Sequence, residues 1–233
     1  HGFEAHHQNQ REFLKLLEDL AVPVSVGLEF FYYPDQPAVD EFVSGKMSEA
    51  DFLKAVNWRG TPFKHYRYQA LFPATHGGRT LAINAPKALT AQISKGGIES
   101  LNQQMRDLMP PQFVLGNDLY RKRFEEVMSE HVPPEKIQHY FEAQSTWDET
   151  MAWRVAEFLR GHPDHVLFIV VGDFHASYFG GLPDRLRARG VDDILVISQV
   201  NAEDSSEDER RELIEPHPVY GPRADFVWST EPK

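Results

Sequence analysis

The chain has 233 residues, with 24 Lys and Arg against 35 Asp and Glu, a formal net charge of −11, 41% hydrophobic residues and no cysteine. That length fits a single core with an appended subdomain, and the acidic balance, with no dense basic patch, argues against a nucleic-acid backbone as partner. The missing cysteines exclude a disulfide framework, a Cys-ligated metal centre and a thiol nucleophile, and the longest apolar runs, Val166 to Gly172 and Ile194 to Ser198, fall far short of the roughly 20 residues a membrane-spanning helix needs.

The opening segment from His1 is polar and rich in histidine, without the basic-then-apolar profile of a signal peptide, and reads as a trimmed or partly ordered chain. Phe13, Leu14, Leu17 and Leu20 recur at three-to-four spacing, which predicts an amphipathic helix over 5–21 that Pro23 stops. Val24, Val26 and Leu28 then form a short strand ending on Glu29. Helical pattern returns from Gln36 to Val56, with Ser48 and Asp51 at capping-box spacing. A helix over 67–75 precedes a second buried strand, Thr80 to Asn84. Residues 87–160 are helical almost throughout, broken at Gly96-Gly97, Pro110-Pro111 and Pro133-Pro134, with a long last segment from Glu135 to Leu159.

Val166 to Gly172 is apolar on both faces, as a central parallel strand must be, and runs into Asp173, Phe174 and His175. A helix over 183–189, a strand over 193–198, a charged exposed loop or solvated helix over 201–212 and an edge strand over 225–228 complete the pattern. Strands alternating with helices predict an α/β fold: one domain over 1–233, a mostly parallel sheet flanked by helices, with 87–160 as a helical insertion. In such sheets ligands gather at the carboxyl ends of the strands, and that rule selects Glu29, Asn84 and the segment from Asp173 to His175. No G-x-G-x-x-G, phosphate-binding loop or G-x-S-x-G is present, so dinucleotide, nucleotide and serine-hydrolase chemistry lack their frameworks.

Several motifs in order carry a family resemblance: His1-Gly-Phe-Glu-Ala-His6-His7-Gln8-Asn9-Gln10, Gly27-Leu28-Glu29, Gln36-Pro37, Ile83-Asn84-Ala85-Pro86, Ala143-Gln144 with Trp147-Asp148 and Met151-Ala152, and Gly172-Asp-Phe-His175 followed by Gly180-Gly-Leu-Pro183. From His1 to about Pro183 the chain resembles the ChaN-like family, haem-binding, iron-regulated lipoproteins of Gram-negative bacteria within the wider Tiki superfamily. The resemblance implies a lipid tether on an upstream cysteine, an outer-membrane association facing the periplasm, a haem receptor as partner and haem as cofactor. It aligns His1 with the histidine of a G-E-x-H motif whose strand, Gly and Glu precede this chain. It also sets His1, Glu29 and His175 on positions that hold a divalent metal in the hydrolytic branches, where Glu29 and His175 would be catalytic. His6, His7, Gln10, Asn84, Asp148 and Asp173 are further pocket candidates.

Each of these residues has a structural alternative. A histidine after a buried strand is often a hydrogen-bonded core residue, His6 and His7 sit at a helix start, Asn84 can bond its own turn, and Asp148 can be an exposed helix charge. A carboxylate closing an apolar strand, as at Glu29, requires a partner or ligand. Haem needs an apolar slot and an axial ligand. With cysteine absent, Tyr178 is the first candidate, one helical turn beyond His175 if that loop opens a helix, with His175 beside it. Tyr140, next to His139, and the pair Tyr32-Tyr33 follow. Met105, Met109, Met128 and Met151 read as core rather than a cofactor slot. The expected function is haem binding and hand-over, with a macrocycle shared across a homodimer. The alternatives are a metal-dependent hydrolase built on His1, Glu29 and His175, and an interaction module that kept the fold alone.

Overall fold

The computed structural model describes residues 3–203 and 205–230. By its internal contacts the chain divides into two compact units, residues 1–84 with 157–172, and residues 85–156 with 173–233.

The first unit holds α1 (Glu4–Leu17), β1 (Val24–Tyr32), α2 (Gln36–Val43), α3 (Glu49–Ala55), α4 (Arg67–Leu71), β2 (Thr80–Asn84) and β3 (Val166–Val170). The strands form a parallel sheet in the order β2-β1-β3. Val24 to Leu28, in the central strand, are all buried, as a strand covered on both faces requires. Helix α1 ends four residues earlier than its periodicity predicts: Leu20 and Val22 are exposed, so no packing rewards the extra turn. Gly78 precedes β2 with its Cα so close to β1 that a Cβ would stand 1.9 Å from the Val24 carbonyl oxygen, which leaves room for glycine alone.

Two features correct the expected strand ends. β1 does not stop at Glu29 but continues to Tyr32, and its register with β2 breaks between Leu28, opposite Ala82, and Tyr32, opposite Asn84. Four steps on β1 therefore match two on β2, a bulge that holds Glu29, Phe30 and Phe31. Asn84 satisfies a carbonyl in that irregular stretch by donating from Nδ2 to the Glu29 backbone oxygen at 2.9 Å. On its other side β2 is an edge strand, and the Gln36 side chain pairs with it as a further strand would, donating to the Thr80 carbonyl at 2.9 Å and accepting from the Ala82 N–H at 2.8 Å. Below the sheet Phe31, Phe42, Phe52 and Phe63 pack into an aromatic core, with Phe42 stacked on Phe52 at 4.4 Å. Ser48 caps α3 as its spacing predicts, accepting from the Asp51 N–H and donating to the Asp51 carboxylate.

The second unit contains α5 (Lys87–Gly96), α6 (Gln103–Arg106), α7 (Asp118–Met128), most of α8 (Ile137–Gly161), α9 (Asp173–Ala176), α10 (Leu182–Ala188) and α11 (Glu207–Ile214), with a parallel pair made of β4 (Ile197–Asn201) and β5 (Phe226–Thr230). The strand expected over 193–198 lies instead over Ile197–Asn201. Pairing with β5 begins only at Ile197, where the Asp225 carboxylate accepts the Val196 N–H at 2.7 Å, and Asp193 and Leu195 before it are exposed. Residues 207–214 form the solvated helix, opened by a full capping box between Ser206 and Glu209. Small cores in this unit include one of Tyr120, Phe124 and Phe141 with Met128 against it, and one of Leu89, Ile93, Leu101 and Ala143 with Met105 and Met109. Met151 is fully buried, so the methionine-rich stretch packs as core.

Candidate functional site

Gln144 and Asp148 lie one turn apart on the same face of α8. Asp148 receives two hydrogen bonds on its carboxylate: His175 Nδ1 stands 2.7 Å from Oδ1, and the Tyr120 hydroxyl donates to Oδ2 at 2.8 Å. The Tyr120 oxygen in turn accepts from Gln144 Nε2 at 2.9 Å. All four side chains are buried, Asp148 to 1% exposure. Burial, reinforced by the adjacent Asp148 charge, holds the Tyr120 phenol well above its ordinary pKa, so it stays a neutral donor. Gln144 Nε2 also lies 3.1 Å from His175 Nδ1. The shorter, charge-assisted contact to Asp148 assigns the Nδ1 proton to that bond. A carboxylate fixing an imidazole in this tautomer is the arrangement that orients a ligating or basic histidine.

Three residues beyond His175 the backbone changes hand. Tyr178 does not continue the helical turn expected of it: its φ is 59° and that of Phe179 is 60°, both left-handed, and its N–H bonds the Arg223 carbonyl at 2.7 Å instead of the preceding turn. Consecutive non-glycine residues in this region are costly, at about 1–3 kcal/mol each, and such outliers concentrate at functional sites. The tight turn that follows needs glycine. A Cβ on Gly181 would sit 2.5 Å from the His175 carbonyl oxygen.

The Tyr178 ring is half-buried between cations and aromatics. The Arg123 guanidinium lies 4.6 Å from its centroid and that of Arg223 5.7 Å, with the Tyr220 and His217 rings at 5.7 and 6.1 Å. Arg123 donates to the Ser177 carbonyl at 2.9 Å and to its hydroxyl at 2.7 Å. Its burial lowers the guanidinium pKa, opposed first by Asp173. Asp173 holds the second cation, accepting from Arg223 Nη2 at 2.6 Å and from the Ser198 hydroxyl. Among the described residues the Tyr178 hydroxyl has no hydrogen-bond partner. The imidazole set against Tyr178 is therefore His217, while the His175 ring meets Trp147 at 6.2 Å.

In the first unit Glu29 accepts the Gly172 N–H on its carboxylate, which supplies the partner its half-buried position demands. Gln10 accepts from Gln69 Nε2 at 2.9 Å. His6 packs edge-on to Phe3, whereas His7, expected at a solvated helix start, is buried to 4% exposure, stacked on His65 at 5.0 Å and edge-on to Tyr66. Neither His7 ring nitrogen has a hydrogen-bond partner among the described residues, and burial, then the neighbouring His65, lowers its pKa to about 4.

The expected metal set of His1, Glu29 and His175 includes a residue whose placement the structure does not describe. His1 lies outside the described residues, and among those described no group of three His, Asp or Glu side chains gathers as a metal site. Tyr140 is 37% exposed on α8, and Tyr32 and Tyr33 are half-buried after the bulge. Tyr120, Arg123, His217, Tyr220 and Arg223 carry no motif in the sequence and reach Asp148 or Tyr178 only through folding. Among the described residues, no helix is long and apolar enough to cross a membrane.

A three-stranded parallel sheet and a helical unit that holds a buried Asp–His pair and a tyrosine in the left-handed region define an α/β protein with a candidate ligand site. The family described as haem-binding uptake, Tiki superfamily, ChaN matches residues 1–186, and this chain belongs to it. Among solved structures, one described as cofacial heme binding to ChaN of Campylobacter jejuni superposes with a TM-score of 0.63 and 18% identity, over 86% of this chain and 78% of that one. The likeness is one of fold. A mutant erythromycin esterase, EreC, in its open conformation reaches a TM-score of only 0.48 at 11% identity, over 92% of this chain and 71% of that one, and carries no argument. No curated protein matches the chain.

Proposed function

We propose that this protein binds haem for bacterial iron acquisition, with Tyr178 as the ligand to ferric iron. Membership of a haem-binding family supports the cofactor, and one observation carries the ligand: Tyr178 and Phe179 are held together in the left-handed region, where strained residues concentrate at functional sites. The donor chemistry fits the group. A tyrosine oxygen is an established haem ligand, this hydroxyl has no competing bond among the described residues, and two guanidiniums lie against the ring whose anionic form binds iron. Bound haem supplies a ferric iron and a flat apolar macrocycle. Tyr178 would hold the iron, and Arg123 and Arg223 would offer charge to the phenolate and the propionates. His175 and Tyr140 are the secondary candidates.

A haemin titration followed by visible absorption, run beside Tyr178→Phe, tests both parts. Saturable binding with a high-spin ferric charge-transfer band, lost in the variant, is the expected result; absence of saturable binding in the parent protein removes the reading. We further place the protein in the Gram-negative envelope, as a lipoprotein facing the periplasm from the outer membrane, exchanging haem with an outer-membrane receptor. A homodimer that shares the macrocycle is part of this reading, because a flat apolar face is better covered by two protomers than by one open surface. Sedimentation of haemin-loaded protein tests this, since a monomer at every concentration excludes it.

A metal-dependent hydrolase is the second reading, favoured by the Asp148–His175 pair alone. Among the described residues no group of three His, Asp or Glu side chains forms a metal site. Near-stoichiometric divalent metal in the purified protein, retained through dialysis, would favour it over the carrier.

A further inference from the structure

The family match ends at residue 186, yet three residues that surround Tyr178 come from a loop far beyond it: His217, Tyr220 and Arg223. This loop is built rather than slack. His217 and Gly221 exchange both backbone hydrogen bonds at 2.8 Å, with Gly221 at a φ of 76° closing the turn. Tyr220 stacks on the His217 ring at 4.6 Å and anchors its hydroxyl on the Glu126 carboxylate of α7. Arg223 ends the loop, its carbonyl holding the Tyr178 N–H and its side chain tied to Asp173 and Ser198.

His217 is also fixed chemically. Its Nδ1 accepts the backbone N–H groups of Val219 at 3.2 Å and Tyr220 at 3.3 Å, so the ring is neutral there and carries its proton on Nε2. The loop therefore presents a hydrogen-bond donor on a ring packed against the ring of a tyrosine whose hydroxyl has no partner among the described residues. We infer that the loop 217–223 is part of the Tyr178 centre, with His217 a positioning residue whose Nε2–H steadies the Tyr178 oxygen when that oxygen takes up its ligand. This rests on the haem reading above and adds to it that the ligand's surroundings come from outside the family region.

The two ends of the imidazole make the role separable. His217→Asn keeps an acceptor for the loop N–H groups and removes the outer donor, whereas His217→Gln places a donor near Nε2. Haemin titrations of the parent and both variants would read affinity together with the position of the ferric charge-transfer band. The expected result is about tenfold weaker binding and a displaced band in His217→Asn, with His217→Gln close to the parent. Parent-like affinity and band in His217→Asn overturn the inference while leaving haem binding intact, as does a loss in His217→Gln restored in His217→Asn, which marks a purely structural role. A parent protein that fails to bind haemin saturably overturns the haem reading and this inference with it.

Discussion

Two neighbouring parts of the second unit treat their polar groups in opposite ways. Around His175 the Asp148 carboxylate, the Tyr120 hydroxyl and the Gln144 amide satisfy one another away from water. Around Tyr178, three residues on, the backbone is left-handed, the ring is half-buried between cations, and the hydroxyl is without a partner among the described residues. A closed network stabilises and orients, because each buried group would be costly alone. An incomplete one held in strain is ready to accept a ligand. In the reading proposed above, the contrast assigns His175 to the support of the site and Tyr178 to contact with what binds.

Exchanging one atom at each place would sharpen that contrast. Tyr178→Phe is expected to abolish saturable haemin binding and to leave thermal stability within about 0.5 kcal/mol, since the lost hydroxyl makes no internal bond. Asp148→Ala is expected to do the reverse in the apo protein: it orphans the His175 Nδ1 proton and the Tyr120 hydroxyl and costs about 3 kcal/mol, seen as a drop of roughly 10 °C in Tm. If Asp148→Ala unfolds no earlier than the parent, the closed-network description fails.

His7 extends the comparison to a buried imidazole with no carboxylate. Its folded pKa of about 4 lies below the ordinary 6.5, so the folded state binds fewer protons between those values. Stability from this group is whole above pH 6.5 and declines as pH falls toward 4, by about 3 kcal/mol. His7→Leu should flatten that part of the Tm-against-pH curve, and an unchanged slope would assign the acid sensitivity elsewhere. The smallest effect belongs to the exposed surface: Ser206→Ala removes the capping box of α11 and is expected to cost about 1 kcal/mol, read by denaturant unfolding.

Much of the fold was legible before the structure. β2 was read at its observed limits, the apolar run at Val166 begins at the observed start of β3, and the Ser48 cap opens α3 as spacing predicts. These are local signals, since apolar period and capping chemistry act within a few residues. The bulge after Leu28 and the displaced β4 were not legible, because both depend on where a distant strand begins to pair. Gln36 shows the same limit in a motif residue: its presence could be noted, whereas its work as a substitute strand along β2 appears only when Thr80 and Ala82 stand beside it.

The residues of the site divide along the same line. By itself the sequence determined the α/β class, the family, and the candidacy of Asp148, His175 and Tyr178, because side-chain chemistry at ordered spacings survives in one dimension. The tertiary structure alone decided that Asp148 belongs to His175 and Tyr120, that Tyr178 leaves the helical region, and that Arg123, His217 and Arg223 surround it. Those relations join residues tens of positions apart, and a backbone turned left-handed by a hydrogen bond to residue 223 leaves no local trace at residue 178.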